Sequence, residues 1–202
     1  MVESGGFYST FVDPVLVKMR KRVADNIESG KKIIDVACGT GAQVFELASK
    51  SESVIGIDLS ESMIKKAIQI KTKFKVENSD FKIGDATNLS DFDDRQFDIA
   101  TMSLALHQFS PELHSSILNG MKRISQKIII VDYAVPLPKN MVGLGSKWAE
   151  FMAGIEHNRN FRKYYKAGGL NKILPQNNLV INRSEFFARG AFQLVICSER
   201  AK

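Results

Sequence analysis

Two glycines and one acid stand where a short β-branched run gives way to a helical pattern. The stretch from Lys32 to Val44 reads KIIDVACGTGAQV. Gly39 and Gly41 allow the backbone to turn sharply and allow a ligand to approach it closely. The free N–H groups at the start of the following helix then face that ligand. Asp35 lies inside the apolar strand, where a carboxylate needs a specific reason to be present.

A second acid lies at the end of the next predicted strand. Ser53 to Asp58 reads as that strand, and Asp58 follows Gly41 by 17 residues. A carboxylate at this strand end, beside a glycine-rich turn, can accept hydrogen bonds from both hydroxyls of a ribose. Leu59 can flank a purine base, and Ser60 is the expected N-cap of the following helix.

Two further strand ends carry polar side chains. Asp80 to Ala86 reads as the third strand and its end, with Asp85 as the candidate ligand contact. Gln96 to Phe109 reads as the fourth strand and its exit, which contains His107. Histidine titrates near neutral pH, so His107 is a candidate base or substrate contact, and a structural role beside the ligand is equally open. These strand ends are expected to converge, because open α/β sheets bind ligands outside the carboxyl ends of their strands.

The order of these motifs closely resembles that of class I S-adenosylmethionine-dependent methyltransferases of the small-molecule type. DVACGTG matches the family's first signature, GIDLSESM the second and GDA the third, and FDIATMSLALHQF is similar to its fourth-strand exit. The similarity is strongest from Ile33 to Phe109 and extends more weakly to Val135. A dinucleotide site is a rival interpretation, but its fingerprint needs a third glycine where Val44 stands. A turn that needs glycine only for its geometry is the simplest alternative.

The resemblance implies that the chain binds S-adenosylmethionine and releases S-adenosylhomocysteine. In this family the glycine turn, the strand ends and an aromatic segment before the first strand contact the cofactor. Tyr8 is the candidate in that segment, although packing on the core is an equal alternative for it. The expected cofactor contacts are Tyr8, Asp35, Ala37, Cys38, Gly39, Thr40, Gly41, Asp58, Leu59, Met63, Gly84, Asp85, Ala86 and Ser103.

The resemblance also implies a methyl acceptor, which we expect to be a small molecule. The pattern is similar to the ubiquinone/menaquinone-biosynthesis methyltransferases, but LHQF stands where that group has an Arg-Asn motif, which disfavours a quinone. An amine or thiolate acceptor needs little more than alignment, whereas a hydroxyl or carbon acid must lose a proton to a base. The candidate catalytic residues are His107, Glu156 and His157. No metal ion is expected.

Charge and cysteine content narrow the class of protein. Two cysteines, Cys38 and Cys197, provide no disulfide framework. No apolar run is long enough to span a membrane, and charges near the N-terminus argue against export, so we expect a cytoplasmic monomer or homodimer. The net charge of +6 comes from basic clusters that read as solvated helix faces, so nucleic acid is not the expected partner. The alternatives to a small-molecule methyltransferase are an RNA or protein methyltransferase and a non-catalytic cofactor-binding module.

The predicted fold is an α/β, doubly wound, seven-stranded and mostly parallel sheet, the Rossmann-like methyltransferase fold, with an antiparallel terminal strand and a small helical cap. We expect one methyltransferase domain over residues 1–202, with an N-terminal helical lid at 1–30 and a helical cap insert at 136–170. The apolar face of the cap would consist of Trp148, Phe151, Met152 and Ile155. This face either covers the acceptor or packs as ordinary core.

The bounds of four further elements are predicted from periodicity and turn residues. The first helix should start at Asp13–Pro14 and stop at Gly30. The fifth strand should consist of the aliphatic run from Lys127 to Val131 and end in Asp132-Tyr133. Two terminal strands are expected at Leu179 to Phe187 and Ala191 to Ser198, joined by a turn that contains Gly190.

Overall fold

The computed structural model describes residues 13–140, 143 and 154–200, and in them seven strands form one sheet. In chain order the strands are β1 (Lys32–Val36), β2 (Ser53–Asp58), β3 (Ser79–Ile83), β4 (Phe97–Ser103), β5 (Ser125–Tyr133), β6 (Leu179–Phe187) and β7 (Phe192–Glu199). Across the sheet the order is β3-β2-β1-β4-β5-β7-β6. β1 to β5 pair in parallel, and β7 runs antiparallel to both β5 and β6. The predicted fold class is confirmed, with β7 as the antiparallel strand.

Helices lie between the strands. Numbered within the described residues, they are α1 (Asp13–Asp25), α2 (Ala42–Ala48), α3 (Glu61–Phe74), α4 (Pro111–Ile124), α5 (Ile155–Lys166) and α6 (Leu170–Gln176), with a 3-10 turn at Leu106–Gln108. Ser60 caps α3 as predicted, because its Oγ accepts a hydrogen bond from the N–H of Met63 at 3.4 Å. Pro111 occupies the first turn of α4, where its missing N–H costs nothing.

The strand order determines where a ligand can bind. β1 pairs with β2 on one side and with β4 on the other. The chain therefore adds β2 and β3 on one side of β1 and then returns to add β4 on the opposite side, so the strand order reverses between β1 and β4. In open parallel sheets, a crevice forms at the carboxyl ends of the strands beside such a reversal. The central strands are aliphatic and covered on both faces, and Ile128 to Val131 of β5 are fully buried.

Three predicted boundaries differ from the structure. α1 ends at Asp25 rather than Gly30, because two tight turns follow it before Gly30 adopts φ +73°. β3 ends at Ile83, three residues before Ala86, because Asp85 forms a side-chain-capped turn. β5 begins at Ser125, two residues earlier than predicted, because it directly follows α4. The two terminal strands lie where the sequence predicts them.

The predicted lid and cap lie partly outside the described residues. In the lid, α1 buries Met19 and Val23, while Tyr8 lies outside the described residues. In the cap, Trp148, Phe151 and Met152 also lie outside them. Ile155 is 92% exposed, so it contributes nothing to a buried face, and α5 instead buries the side chains of Asn160, Phe161 and Tyr164. The roles of lid and cap stay predictions.

Among the described residues, no helix combines the length and the apolar character needed to cross a membrane.

Candidate functional site

A cavity of about 510 Å³ opens at the edge of the sheet where β1 to β4 end. The segments that follow these strands form its wall, so residues far apart in the sequence meet there. Its lining consists of Ala37, Cys38, Gly39, Thr40, Asp58, Leu59, Ser60, Met63, Gly84, Asp85, Ala86, Ser103, Leu104, Ala105, Gln108 and Phe109. A cavity of this volume suits a small organic ligand.

The glycine turn after β1 is held in place by an acid from β2. Oδ2 of Asp58 accepts a hydrogen bond from the N–H of Gly39 at 2.8 Å. Gly41 has φ +81°, and a Cβ built there would lie 2.5 Å from the ring of Phe81. A side chain at position 41 would therefore meet both backbone strain and a steric clash. Glycine is required at this position by its surroundings and not only by the turn.

Asp58 uses both of its carboxylate oxygens to organise the backbone. In addition to the bond from Gly39, its Oδ1 accepts a hydrogen bond from the N–H of Ser60 at 2.9 Å. A carboxylate oxygen has two lone pairs, so each oxygen can still accept one more hydrogen bond. Two acceptors fixed in this way can bind the two neighbouring hydroxyls of a ribose.

Apolar side chains and a second acid form the adjoining wall. Leu59 is 71% exposed and Met63 is 43% exposed, although both are large and apolar. Next to them, Oδ1 of Asp85 accepts hydrogen bonds from the N–H and the hydroxyl of Thr87, both at 2.8 Å. Exposed apolar surface beside a fixed carboxylate can bind a flat heterocycle that carries an amino group.

The exit of β4 contributes strained backbone to the cavity. Leu104 has φ +53°, a conformation that non-glycine residues adopt rarely and that is often found at functional sites. Its N–H donates to the carbonyl of Val131 at 2.8 Å, and its carbonyl accepts from Nε2 of Gln108 at 2.6 Å. Oγ of Ser103 is buried and has no hydrogen-bond partner among the described residues.

Asp35 lies below the glycine turn and not on the cavity wall. It is 2% exposed, and its Oδ1 lies 2.5 Å from Oγ1 of Thr101. Burial raises its pKa from 3.8 to about 7, the hydrogen bond from Thr101 lowers it, and the charge of Asp58 raises it. Burial likewise raises the pKa of the Cys38 thiol, with Asp35 and Asp58 adding to the effect, so this cysteine stays protonated at neutral pH.

His107 forms a buried pair with Asp132, the acid near the end of β5. Nδ1 of His107 lies 2.6 Å from Oδ1 of Asp132, and the N–H of His107 donates to Oδ2 at 3.0 Å. Oδ1 also accepts from the N–H of Tyr133 at 2.7 Å. His107 is 2% exposed and Asp132 is fully buried. The carboxylate fixes the orientation of the imidazole and favours a proton on Nδ1.

Aromatic rings of β5 and α5 surround this pair. The ring of His107 lies 4.9 Å from Tyr133, 5.5 Å from His157 and 6.0 Å from Phe161, measured between centroids. Asn160 fastens α5 to the exit of β4, because its Nδ2 donates to the carbonyl of Gln108 at 2.8 Å. α5 therefore packs over the carboxyl ends of β4 and β5, beside the cavity.

A family model described as a methyltransferase domain matches residues 27–169 of the chain. The chain belongs to this methyltransferase family. The match covers the glycine turn, every strand end that forms the cavity and most of the predicted cap. The predicted class, a class I methyltransferase that depends on S-adenosylmethionine, is confirmed, and with it the cofactor.

Curated relatives of this methyltransferase differ in how much of their length it covers. An uncharacterized methyltransferase (sll0829) of Synechocystis is 26% identical over 84% of this chain and 76% of that protein. Phosphoethanolamine N-methyltransferase 1 of Zea mays is 36% identical over 54% of this chain and 22% of that protein. Demethylmenaquinone methyltransferase of Staphylococcus saprophyticus is 39% identical over 43% of this chain and 38% of that protein. The methyltransferase thus spans well under half the length of the last two relatives.

Solved structures share the fold over nearly the whole chain. The PH0226 protein of Pyrococcus horikoshii superposes with a TM-score of 0.73 at 18% identity, over 96% of this chain and 98% of that one. Magnesium protoporphyrin IX methyltransferase of Synechocystis, solved with bound SAH, gives a TM-score of 0.60 at 21% identity, over 93% of this chain and 81% of that one. At these identities the comparison concerns the fold alone.

The predicted cofactor contacts of the methyltransferase fall into three groups. Those in the described residues all line the cavity except Asp35, which lies below the turn, and Gly41, which packs against Phe81. Tyr8 lies outside the described residues. The predicted catalytic residues His107, Glu156 and His157 do not line the cavity. The side chain of Glu156 is 82% exposed and lies 3.6 Å from the guanidinium of Arg159.

Sequence reasoning missed several residues of the site. Leu104, Ala105, Gln108 and Phe109 line the cavity, although the β4 exit contributed only Ser103 to the predicted contacts. Asp132 was not selected either, and its signal is a carboxylate near the end of an otherwise aliphatic strand. In residues 13–140 and 154–200, no group of three or more His, Cys, Asp or Glu side chains is placed to hold a metal ion.

Proposed function

We propose that this methyltransferase binds S-adenosylmethionine in the cavity at the ends of β1 to β4 and transfers the methyl group in line to a small-molecule acceptor. The observation that carries the proposal is convergence. The cofactor contacts predicted from three separate motifs meet on one wall, and the two acids among them, Asp58 and Asp85, are held by backbone hydrogen bonds. Such pre-organisation lowers the cost of ordering the site when the ligand binds.

The charge of the cavity suits this cofactor. Asp58 and Asp85 line it, and no Lys, Arg or His of the described residues does so. S-adenosylmethionine carries a sulfonium and an ammonium group, so a negatively charged wall attracts it. Asp58 would accept hydrogen bonds from the ribose, Leu59 and Met63 would flank the adenine, and Asp85 would lie near the adenine amino group.

The acceptor would enter beside the β4 exit. Gln108 and Phe109 line this end of the cavity, and α5 packs next to it. An aromatic face such as that of Phe109 can stabilise the sulfonium cation. Methyl transfer from a sulfonium is an in-line displacement, so the main task of the protein is to align the acceptor atom with the methyl group.

An acceptor with a hydroxyl or an acidic carbon also needs a base, and His107 is the candidate. Its Nδ1 faces Asp132, so Nε2 is the nitrogen that would accept the proton. Because the ring is 2% exposed, this role requires the acceptor to displace side chains that cover it. An amine acceptor would not require this step.

The names of two relatives also favour a small acceptor, since phosphoethanolamine and demethylmenaquinone are both small molecules. In this proposal the segments around the β4 exit and the cap would select the acceptor, and the two relatives need not share these segments with this chain. A monomer or homodimer in the cytoplasm is part of the same proposal.

An activity screen tests the proposed function. Release of S-adenosylhomocysteine is measured with amines, phenols, thiols and carboxylic acids, with Asp58→Ala as the control with weakened cofactor binding. We expect release with one acceptor class that Asp58→Ala lowers at subsaturating cofactor. Methyl incorporation into RNA or protein, with none of the small acceptors active, would replace the proposal with that alternative. Cofactor binding without transfer to any acceptor class would indicate a binding module.

A further inference from the structure

Asp35 is a buried acid in the centre of the sheet, directly below the cavity. It pairs with Gly56 of β2 on one side and Thr101 of β4 on the other. Among the described residues, only Thr101 shares a side-chain hydrogen bond with it, at 2.5 Å. Oγ1 of Thr101 also lies 3.4 Å from the carbonyl of Ile34. The three oxygens form a short chain that ends on a backbone acceptor.

The hydroxyl of Thr101 has a single hydrogen, which it donates to Oδ1 of Asp35. This hydrogen bond stabilises the ionised carboxylate and lowers the pKa of Asp35. An ionised carboxylate at this depth nevertheless pays a desolvation cost that no neighbouring cation offsets within the described part of the chain.

The groups that face Asp35 all oppose its ionisation or are neutral. Asp58, at the end of β2, raises the pKa of Asp35 through its charge, and the Cys38 thiol above it stays protonated. Thr101, on β4, supplies the one hydrogen bond that lowers the pKa, and the balance lies at about 7. The two protonation states are therefore close in free energy at neutral pH, and a nearby positive charge can decide between them.

The ligand of this site brings such a charge, and the reaction removes part of it. S-adenosylmethionine carries a sulfonium that S-adenosylhomocysteine lacks. The turn from Ala37 to Thr40, which begins two residues after Asp35, lines the cavity. Asp58 and Cys38 also line it, and both interact electrostatically with Asp35.

We infer that Asp35 senses the charge of the cofactor: it holds a proton in the empty site, releases it to solvent when S-adenosylmethionine binds, and takes one up again when the sulfonium has become a thioether. The inference rests on the proposed cofactor site. It makes Asp35 a determinant of specificity, because the ionised form favours the cationic substrate over the neutral-sulfur product. By linkage, preference for S-adenosylmethionine over S-adenosylhomocysteine increases between pH 6 and pH 8.

Calorimetry in buffers of different ionisation enthalpy measures the protons released on binding of each ligand. For the wild type at pH 7, S-adenosylmethionine is expected to release more protons than S-adenosylhomocysteine. Asp35→Asn should abolish the part of this difference that comes from the protein, leaving only the part that comes from the ligand amino groups. A matched control, Asp98→Asn, alters an acid on β4 that accepts the N–H of Lys32 and should behave as the wild type.

A second variant tests the inference even if the Asp35→Asn variant does not fold. Thr101→Val preserves the shape of the side chain but removes the hydrogen bond that lowers the pKa of Asp35, so proton release should move to higher pH. The inference would be overturned if, for each ligand, wild type and Asp35→Asn released the same number of protons at every pH from 6 to 8. The proposed function would then remain intact. Failure of either ligand to bind the wild type would instead contradict the proposed function.

Discussion

Gly39 and Gly41 have similar backbone conformations but different surroundings. Both have positive φ, yet a Cβ at Gly39 meets nothing within 4 Å, whereas one at Gly41 lies 2.5 Å from the Phe81 ring. Gly39→Ala should therefore cost about 1 kcal/mol of unfolding free energy, from backbone strain alone. Gly41→Ala should cost about 2–4 kcal/mol, because overpacking adds to the same strain. Urea unfolding of the two variants checks the difference, and equal losses would show that Phe81 gives way freely.

The buried Asp35 also predicts how stability depends on pH. Its pKa is raised from 3.8 to about 7, so between these values the folded state binds more protons than the unfolded state. The contribution of Asp35 to stability is therefore fully present below pH 4 and is lost as the pH rises through 7. Asp35→Asn removes this dependence, because the amide does not titrate and its oxygen can still accept the hydrogen bond from Thr101.

Unfolding of wild type and Asp35→Asn in urea at pH 5 and pH 8 measures this effect. Relative to the wild type, the variant should gain roughly 2–3 kcal/mol of unfolding free energy between the two pH values, at about 1.4 kcal/mol per unit of pKa shift. A wild type and variant whose stabilities change in parallel would mean that Asp35 is ionised throughout this range.

At the scale of single elements, α5 decides how the aromatic region is arranged. Asn160 binds the carbonyl of Gln108, and the hydroxyl of Tyr164 donates to the carbonyl of Tyr133 at 3.0 Å. These two bonds fasten one face of the helix to the exits of β4 and β5. His157 lies on the inner side of α5 against His107, whereas Glu156 points to solvent.

Glu156 and His157 were both predicted to be catalytic, but the structure places their side chains in different surroundings. His157→Ala should lower turnover, because it removes a ring that packs on His107, while cofactor affinity and thermal stability stay nearly unchanged. Glu156→Gln is the matched control and should leave turnover unchanged, because an exposed ion pair with Arg159 contributes little. Steady-state kinetics on the acceptor identified by the screen provides the measurement. Loss of turnover in Glu156→Gln, or a fall in His157→Ala that only follows stability, would contradict this assignment.

The elements differ in how well their sequence predicts them. β1, β2 and β6 are found where predicted, because hydrophobic periodicity and turn residues agree there with the global fold. The ends of α1 and β3 were wrong by several residues, since they depend on local hydrogen bonds that periodicity does not reveal. The Asp85 turn is one example, because its side chain bonds the backbone of Thr87 and ends the strand early.

The cavity wall shows the same distinction between motif and geometry. Residues in a short motif, such as Gly39 and Asp58, were predicted because the order of motifs identifies the strand ends that must converge. Leu104 and Asp132 were not, because their roles come from a positive φ and from pairing across β4 and β5. Such features arise only when the whole sheet has formed.

At the scale of the whole molecule, the positive charge is predicted to be incidental to function. The net charge is +6, and many basic residues are paired with acids at the surface, as in Lys65–Glu61 and Arg123–Asp94. Filter retention at physiological salt should show no tight, specific binding to RNA, and any retention at low salt should fall steeply as salt increases. Retention of one RNA structure at physiological salt, surviving competition by bulk RNA, would contradict this prediction.

The central claim is that the cavity binds the cofactor through Asp58, and titration calorimetry with S-adenosylhomocysteine tests it most directly. The wild type should bind, and Asp58→Ala should lose about 1.5–3 kcal/mol of binding free energy, the scale of hydrogen bonds to a charged group. Asp91→Ala, which changes an exposed acid in the loop after β3, is the matched control and should bind as the wild type. No binding by the wild type, tight binding of NAD instead, or equal losses in the two variants would contradict the account.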